Sequence, residues 1–370
     1  MKTNKINIKA IVGTLSIALF FSLSSCTKDL ERTPIIETTG DAIFSDFKNY
    51  PNALAKLYGG LAHGGQEAGG GGADISGIDG SFSQYTRQLF TLQVLPTDEA
   101  VIAWNDGTLQ TIHNMTWDSS NEFVAAMYYR IYTEIAFCNE FLRNTSDAKL
   151  TSNNITGADL TEAKYMRAEA RFLRAQSYYH ALDLFGNVPF VLDTDAAGTL
   201  PKRIVRADLF KFVESELKAI ETELKDPKTN EYGRADKAAV WMLKAKLYQN
   251  ASVYINQNKN TEAITELNKI INSGVYSLSE DYKNLFRADN NTNGAQNEVI
   301  FPIIHDGKNI RANGGVTYIM HASIGGKMNA SDYGLNDGWY GLRAKRQLVE
   351  KFADNDMNII DPRGSFYTND

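Results

Sequence analysis

Between Thr161 and Phe185 the large side chains Tyr165, Phe172 and Tyr179 recur every seven residues, and so do Ala168, Ala175 and Leu182. Seven residues are close to two helical turns, so each set stays on one side of a helix. Rings set against alanines let a neighbouring helix approach closely. This spacing predicts a long helix ending at Gly186, with Pro189 preventing its continuation. Arg167, Arg171 and Arg174 fall on other faces and are expected to be solvated or paired with acids.

Other stretches repeat the pattern. Ser119-x-x-Glu122 reads as a capping box. Val124, Tyr128, Ile131, Ile135, Cys138 and Leu142 then form one apolar seam, on which Cys138 reads as a buried packing thiol. Further helices carry Leu209, Val213, Leu217, Ile220 and Leu224, then Val240, Leu243 and Leu247. A last one, capped by Asn260, carries Ile264, Leu267 and Ile271 and is closed by Ser273-Gly274. Near the start, Tyr50-Pro51 opens a short helix that Gly59-Gly60 should end. Residues 59–80 hold ten glycines in 22 positions, a flexible loop that fits no phosphate-cradle motif. Helices in antiparallel-looking pairs with large-small patterning follow the logic of tetratricopeptide-type repeats, each pair burying its face on the next. After Tyr282 the pattern changes, and Val299–Ile304 and Val316–Met320 read as short β-like runs between Gly- and Asn-rich loops.

Composition narrows the function classes. A net charge of −6 over 370 residues gives no electrostatic help toward nucleic acid or anionic lipid. Two cysteines exclude a disulfide framework and a cysteine-built zinc site. The five histidines show no metal-ligand spacing.

The first 25 residues carry only Lys2, Lys5 and Lys9 as charges, followed by an apolar stretch from Ala10 to Leu23. That is a secretory signal, too short to span a bilayer. Leu23-Ser-Ser-Cys26 resembles a bacterial lipobox with Cys26 as the lipidated residue; the alternative is an ordinary signal peptide. Thr27-Lys-Asp-Leu-Glu31 is similar to the surface-export signal of Bacteroidota lipoproteins. Residues 26–41 then read as a lipidated tether, and acyl chains at about 0.8 kcal/mol per buried CH₂ would hold a soluble body to a membrane.

Four stretches, in this order, resemble the RagB/SusD family of nutrient-uptake lipoproteins. Asp79-Gly-Ser-Phe-Ser-Gln-Tyr-Thr-Arg87 leads into Leu95-Pro-Thr-Asp-Glu-Ala-Val-Ile-Ala-Trp104-Asn-Asp106. Ala168-Glu-Ala-Arg-Phe-Leu-Arg-Ala175 runs into Leu184-Phe-Gly-Asn-Val-Pro189. Gly233-Arg-Ala-Asp-Lys-Ala-Ala-Val240 follows, then Asn297-Glu-Val-Ile-Phe-Pro302 with Asp306-Gly307. The resemblance implies a mainly α fold: tetratricopeptide-like helix pairs, an α–α superhelix, supporting a loop-rich mixed α/β ligand-binding region. It implies a helical-repeat region with binding loops over 42–285 and the start of a carboxy-terminal region over 286–370. Asp361-Pro-Arg363-Gly-Ser-Phe366-Tyr367 looks internal to that region, so the family pattern implies further chain beyond it. It also implies a non-catalytic protein on the outer-membrane surface, lipid-anchored, that takes up oligosaccharide with a SusC-like TonB-dependent transporter as partner.

A sugar ring offers an apolar face and a rim of hydroxyls, so its binder needs an exposed aromatic platform beside bidentate polar groups. Asp79, Arg87 and Trp104 have that chemistry, and the resemblance matches them to an acid, an arginine and a stacking tryptophan of a starch-binding member. Asn105 and Asp106 can add hydroxyl contacts. The other reading makes Trp104 core and Asp79–Arg87 a structural ion pair. Trp339-Tyr340, between Gly338 and Gly341, offers a second platform on a loop. Where family members often carry an aromatic before a Gly-Gly pair this chain has Asn313, leaving Tyr318 as the substitute. Asp289-x-Asn291-x-Asn293-Gly294 matches the first half of a calcium loop, with Ile300 at the twelfth position; an Asn-rich turn explains it equally. Two other functions stand beside glycan capture. A peptide-binding adaptor of the same transport system differs only in ligand. A surface glycoside hydrolase would need paired carboxylates flanking a cleft, and Asp98-Glu99 face apart if extended.

Overall fold

The computed structural model describes residues 40–65, 72–196, 198–310 and 312–367. The signal, Cys26 and most of the tether lie outside them. The chain divides into residues 1–45, of which a short helix α1 (Gly40–Phe44) is described, and residues 46–370. Everything below concerns the second unit.

Its frame is helical. α2 (Tyr50–Ala62), α3 (Tyr85–Val94) and α4 (Gly107–His113) precede two long helices, α5 (Glu122–Asn144) and α7 (Gly157–Leu184), joined through α6 (Asp147–Ser152). α8 (Arg206–Ile220), α9 (Lys237–Gln249), α10 (Ala251–Ile255) and α11 (Asn260–Asn272) follow. α5 packs on α7, α7 on α8, and α9 on α11, the neighbour-on-neighbour stacking of a helical-repeat scaffold. The large-small pattern of α7 does what its spacing requires: Ala168, Phe172, Ala175, Tyr179 and Leu182 are all buried. Two short antiparallel sheets complete the fold. β2 (Val188–Phe190) pairs with β3 (Lys202–Ile204), while β1 (Ala100–Ile102) pairs with β4 (Leu342–Ala344) in the register Ile102↔Leu342.

Several sequence expectations shift. Gly59-Gly60 does not end α2, which continues to Ala62. Gly60 is there for a close approach, since a Cβ would strike the Glu134 carboxyl on α5. The cap of α5 is Asn121, whose side chain accepts from the N–H groups of Phe123 (3.0 Å) and Val124 (3.1 Å), and not Ser119. Val316–Met320 lies within a helix, α12 (Gly315–Ser323), and Val299–Ile304 pairs with no strand among the described residues. On α11 the inward residues are Ala263, Glu266 and Ile270, so Ile264 and Ile271 face solvent. The Glu266 carboxylate reaches Lys244 of α9 at 2.6 Å, and this ion pair turns the helix by about one residue from its apolar periodicity.

The arginines of α7 pair as expected. Arg171 meets Glu216 (2.9 Å) and Glu223 (2.8 Å), and Arg174, almost fully buried, meets Asp193 (2.5 Å) and Glu216 (3.0 Å). Cys138 is wholly buried, and burial raises its thiol pKa well above the ordinary value.

Candidate functional site

The β1–β4 pair decides where the site is. Trp104 follows β1 and Trp339-Tyr340 precedes β4, so a ladder of three residue pairs brings the Trp104 indole N–H onto the backbone carbonyl of Trp339, 235 positions on. The ladder extends one step further, with the Ala103 N–H donating to the Gly341 carbonyl (2.7 Å). The loop before β4 is fixed by the C-terminal end of α12, whose last carbonyls lack intrahelical donors. Trp339 N–H donates to His321 O (2.7 Å), Gly341 N–H to Ala322 O (2.8 Å) and Tyr340 N–H to Ile324 O (3.0 Å). Gly341 has to be glycine, because a Cβ there would enter the Trp104 indole.

Trp104 is half-buried and held at both ends. Its Nε1–H donates to the Trp339 carbonyl (2.6 Å), and its own carbonyl accepts from Gln110 Nε2 (2.5 Å). Beneath it is a small core including Leu95, Ile102, Leu109, Ile112, Tyr318 and Leu342. Trp104 therefore packs on this core and is still partly open to solvent. Tyr318 supplies no platform: it is 1% exposed and packs under Trp104 with ring centroids 6.1 Å apart. The ring missing at Asn313 is not replaced from there.

Arg87, on α3, lies across these rings. Its guanidinium sits 4.3 Å from the Tyr318 centroid and 6.0 Å from that of Trp104. Nη1–H donates to the carbonyls of Asn313 (2.9 Å) and Ser81 (3.1 Å). The Asp79–Arg87 ion pair of the alternative reading is not formed. The Asp79 carboxylate turns back to accept from Ser81 N–H (2.7 Å), and the Ser81 hydrogen bonds hold its pKa below the usual value. Burial pulls the Arg87 pKa down to about 10, against the attraction of Tyr318, Asp79 and Asp106. Asn105 and Asp106 are exposed beside Trp104, and Asp106 starts α4 with its carbonyl while its side chain makes no cap bond.

Trp339 is half-buried and stacked on His321, with ring centroids 4.7 Å apart and planes 23° from parallel. His321 Nδ1 lies 3.0 Å from the Asp337 carbonyl. Tyr340 takes the left-handed conformation at φ 57° and leaves its ring 55% exposed. That is a costly backbone for a tyrosine, held by three backbone bonds around it. So Arg87, Trp104, Trp339 and Tyr340 form one assembly with Asn105 and Asp106 at its edge, and Asp79 reaches it only through its charge. Sequence reasoning missed Gln110 and His321, and it offered Tyr318 as a platform where the structure makes it a support. The signal present was Gly338 and Gly341 on either side of the two aromatics.

The Asp289–Gly294 stretch closes on itself. Asn293 Nδ2–H donates to Asp289 Oδ1 and to the Asn284 carbonyl (3.0 Å each), and Asn293 Oδ1 accepts from Ala295 N–H (3.0 Å). A calcium loop needs these oxygens converging on one point; here an amide donor faces the carboxylate, so the arrangement does not fit the ion. Among the described residues no three His, Cys, Asp or Glu side chains form a metal-holding group. Asp98 and Glu99 both face solvent before β1. Among the described residues no helix is long and apolar enough to cross a membrane.

The chain is thus a helical-repeat scaffold that carries a loop-built aromatic and arginine assembly. Known proteins resemble it. The chain is 34% identical over 351 residues to the starch-binding protein SusD of Bacteroides thetaiotaomicron, a match covering 94% of this chain and 60% of that protein. It is 24% identical over 286 residues to SusD-like protein P2 of Formosa agariphila, covering 72% of this chain and 52% of the relative. Among solved structures, a SusD superfamily protein from Bacteroides vulgatus superposes with a TM-score of 0.60 at 20% identity, over 86% of this chain and 60% of the other. Surface glycan-binding protein A from Bacteroides uniformis does so with a TM-score of 0.61 at 18% identity, over 84% and 62%. No family model matches the chain. In sequence this chain is similar to SusD, and in fold to SusD-like structures. It spans about 60% of the length of the SusD that it matches.

Proposed function

We propose that this chain binds oligosaccharide at the Arg87–Trp104–Trp339–Tyr340 assembly and performs no chemistry on it. The observation that carries the reading is the pinned aromatic platform. Trp104 is clamped at its indole N–H, Tyr340 has a left-handed backbone and is exposed, and Arg87 beside them has only neutral acceptors among the described residues. A rigid ring stacks on a sugar face with little entropy lost, and Arg87 with Asn105 and Asp106 suits the hydroxyl rim. The bound starch in the name of its 34%-identical relative supports the ligand class.

In this reading the protein is anchored through a lipidated Cys26 to the outer face of the outer membrane. It delivers its ligand to a SusC-like TonB-dependent transporter. The amino-terminal segment and the relatives support that placement. Labelled palmitate should enter the protein and be lost in Cys26→Ala; equal labelling of both would refute the anchor. The binding test is titration with maltoheptaose and a panel of other oligosaccharides, alongside an assay for reducing ends. Saturable binding with no release of reducing sugar is expected. Release of reducing sugar would turn the reading to a hydrolase, and binding of peptides but no glycan to an adaptor.

A further inference from the structure

The two tryptophans of the assembly are fixed by different means. Trp104 is held by hydrogen bonds, through its indole N–H and its carbonyl. Trp339 is held by a neighbouring ring. The His321 imidazole lies on its indole with centroids 4.7 Å apart and planes 23° from parallel, so it covers one face. The indole also packs against the small core under Trp104.

His321 grips this loop three times. Its carbonyl accepts from Trp339 N–H (2.7 Å). Its Nδ1 lies 3.0 Å from the Asp337 carbonyl and 3.3 Å from the Asp337 carboxylate. A carbonyl can only accept, so Nδ1 carries the proton and donates. The ring face is the third grip. These contacts fall on both sides of Gly338, where a Cβ would strike the Ile324 carbonyl. Glycine lets the chain pass close to the end of α12, but it also gives the backbone next to Trp339 the widest freedom. A fixed indole therefore needs a restraint on each side of Gly338, and one residue supplies both. His321 belongs to α12 and leaves 19% of its side chain exposed, so the restraint comes from a regular element and not from the loop.

We infer that His321 is a positioning residue, which sets the plane of the Trp339 indole and through it the affinity for oligosaccharide. This rests on the oligosaccharide reading of the Trp104 assembly. A ring that is already oriented loses little rotamer freedom when a sugar face stacks on it, so the imidazole favours binding without contacting the ligand. Its whole effect passes through Trp339.

The test is a double-mutant cycle read by maltoheptaose titration, with a melting curve beside each variant. His321→Ala should weaken binding by about threefold to tenfold, the effect of freeing one side chain that binding must order again. His321→Phe keeps a stacking ring and should bind within about twofold of wild type, whereas His321→Asn keeps only a donor near Nδ1 and should resemble His321→Ala. In a Trp339→Leu background the change His321→Ala should alter affinity by less than about twofold. In the ligand-free protein the Trp339 amide should exchange faster in His321→Ala than in the wild type or His321→Phe. Equal losses from His321→Ala in the two backgrounds would overturn the inference and leave the oligosaccharide reading standing. So would wild-type affinity in His321→Ala while Trp104→Ala is weakened. Absence of saturable binding by the wild type would overturn the oligosaccharide reading and the positioning role together.

Discussion

The arginines of the helical frame and the arginine of the aromatic assembly are held in opposite ways. Arg174 and Arg234 are each gripped by two carboxylates from other elements, and Arg130, buried on α5, by Asp74 at 2.6 Å and the carbonyls of Ser83 and Gly64. Arg87 has two carbonyls and two ring faces. A cation neutralised by acids has finished its chemistry and serves as a rivet. A cation resting on neutral acceptors keeps donor capacity for a neutral, hydroxyl-bearing guest. The frame is satisfied alone, whereas in the proposed reading the Arg87 assembly is completed by a bound oligosaccharide.

That contrast can be broken at the frame first. Arg234→Met leaves Glu169 buried and unpaired, so it should cost about 3–5 kcal/mol in chemical denaturation. Maltoheptaose affinity of the folded protein should be unchanged. A loss of affinity at constant stability would erase the distinction between rivet and site.

A smaller effect comes from Glu134, wholly buried on α5, where burial raises its carboxyl pKa to about 8. Its proton is held in the folded state after the unfolded chain would release it. The stability it contributes is therefore full below about pH 4.5 and is lost as the pH rises through about 8. The unfolding free energy from chemical denaturation should fall by about a few kcal/mol over that window in the wild type and much less in Glu134→Gln. Equal slopes for both proteins would place the titration elsewhere.

At the assembly, Trp104→Ala should weaken glycan binding by about 1–3 kcal/mol, and Arg87→Ala should follow it. Because one face of Trp104 is core, a stability loss accompanies it, smaller than the roughly 3–5 kcal/mol of a fully buried tryptophan. A full-sized stability loss with unchanged affinity would reduce the assembly to scaffold. Smallest in stability is Tyr340→Ala, expected within about 0.5 kcal/mol of wild type because the ring is more than half exposed. Its affinity should drop severalfold in the same titration, and unchanged affinity would remove Tyr340 from the site.

The frame was the legible part of the sequence. Periodicity in α5 and α7 located both helices within a few residues, because each buries a continuous apolar face. It failed on α11, where a buried Glu266–Lys244 pair outvoted the hydrophobic residues. It also failed at Gly60, whose role is set by a side chain 74 residues away. At the assembly, residue chemistry picked out Arg87, Trp104 and Tyr340, but their meeting depends on a three-residue strand pair too short to leave a periodic trace. The alternative of an Asp79–Arg87 ion pair falls for a related reason: a nearby Asp in sequence is easier to see than a carbonyl at Asn313. Those are the contacts that local pattern cannot carry.

The Trp104–Trp339 bond has a consequence in time. During synthesis the helices from α2 to α11 can stack on one another as they emerge, since each neighbour lies close in the chain. The Trp104–Trp339 assembly must wait until residue 344 has been made and a loop of more than 200 residues has closed, a slow kind of event for its entropy. Until then Trp104, Phe90 and Leu95 lack their cover from α12 and β4. The protein therefore passes through a stage in which its frame exists and its site does not.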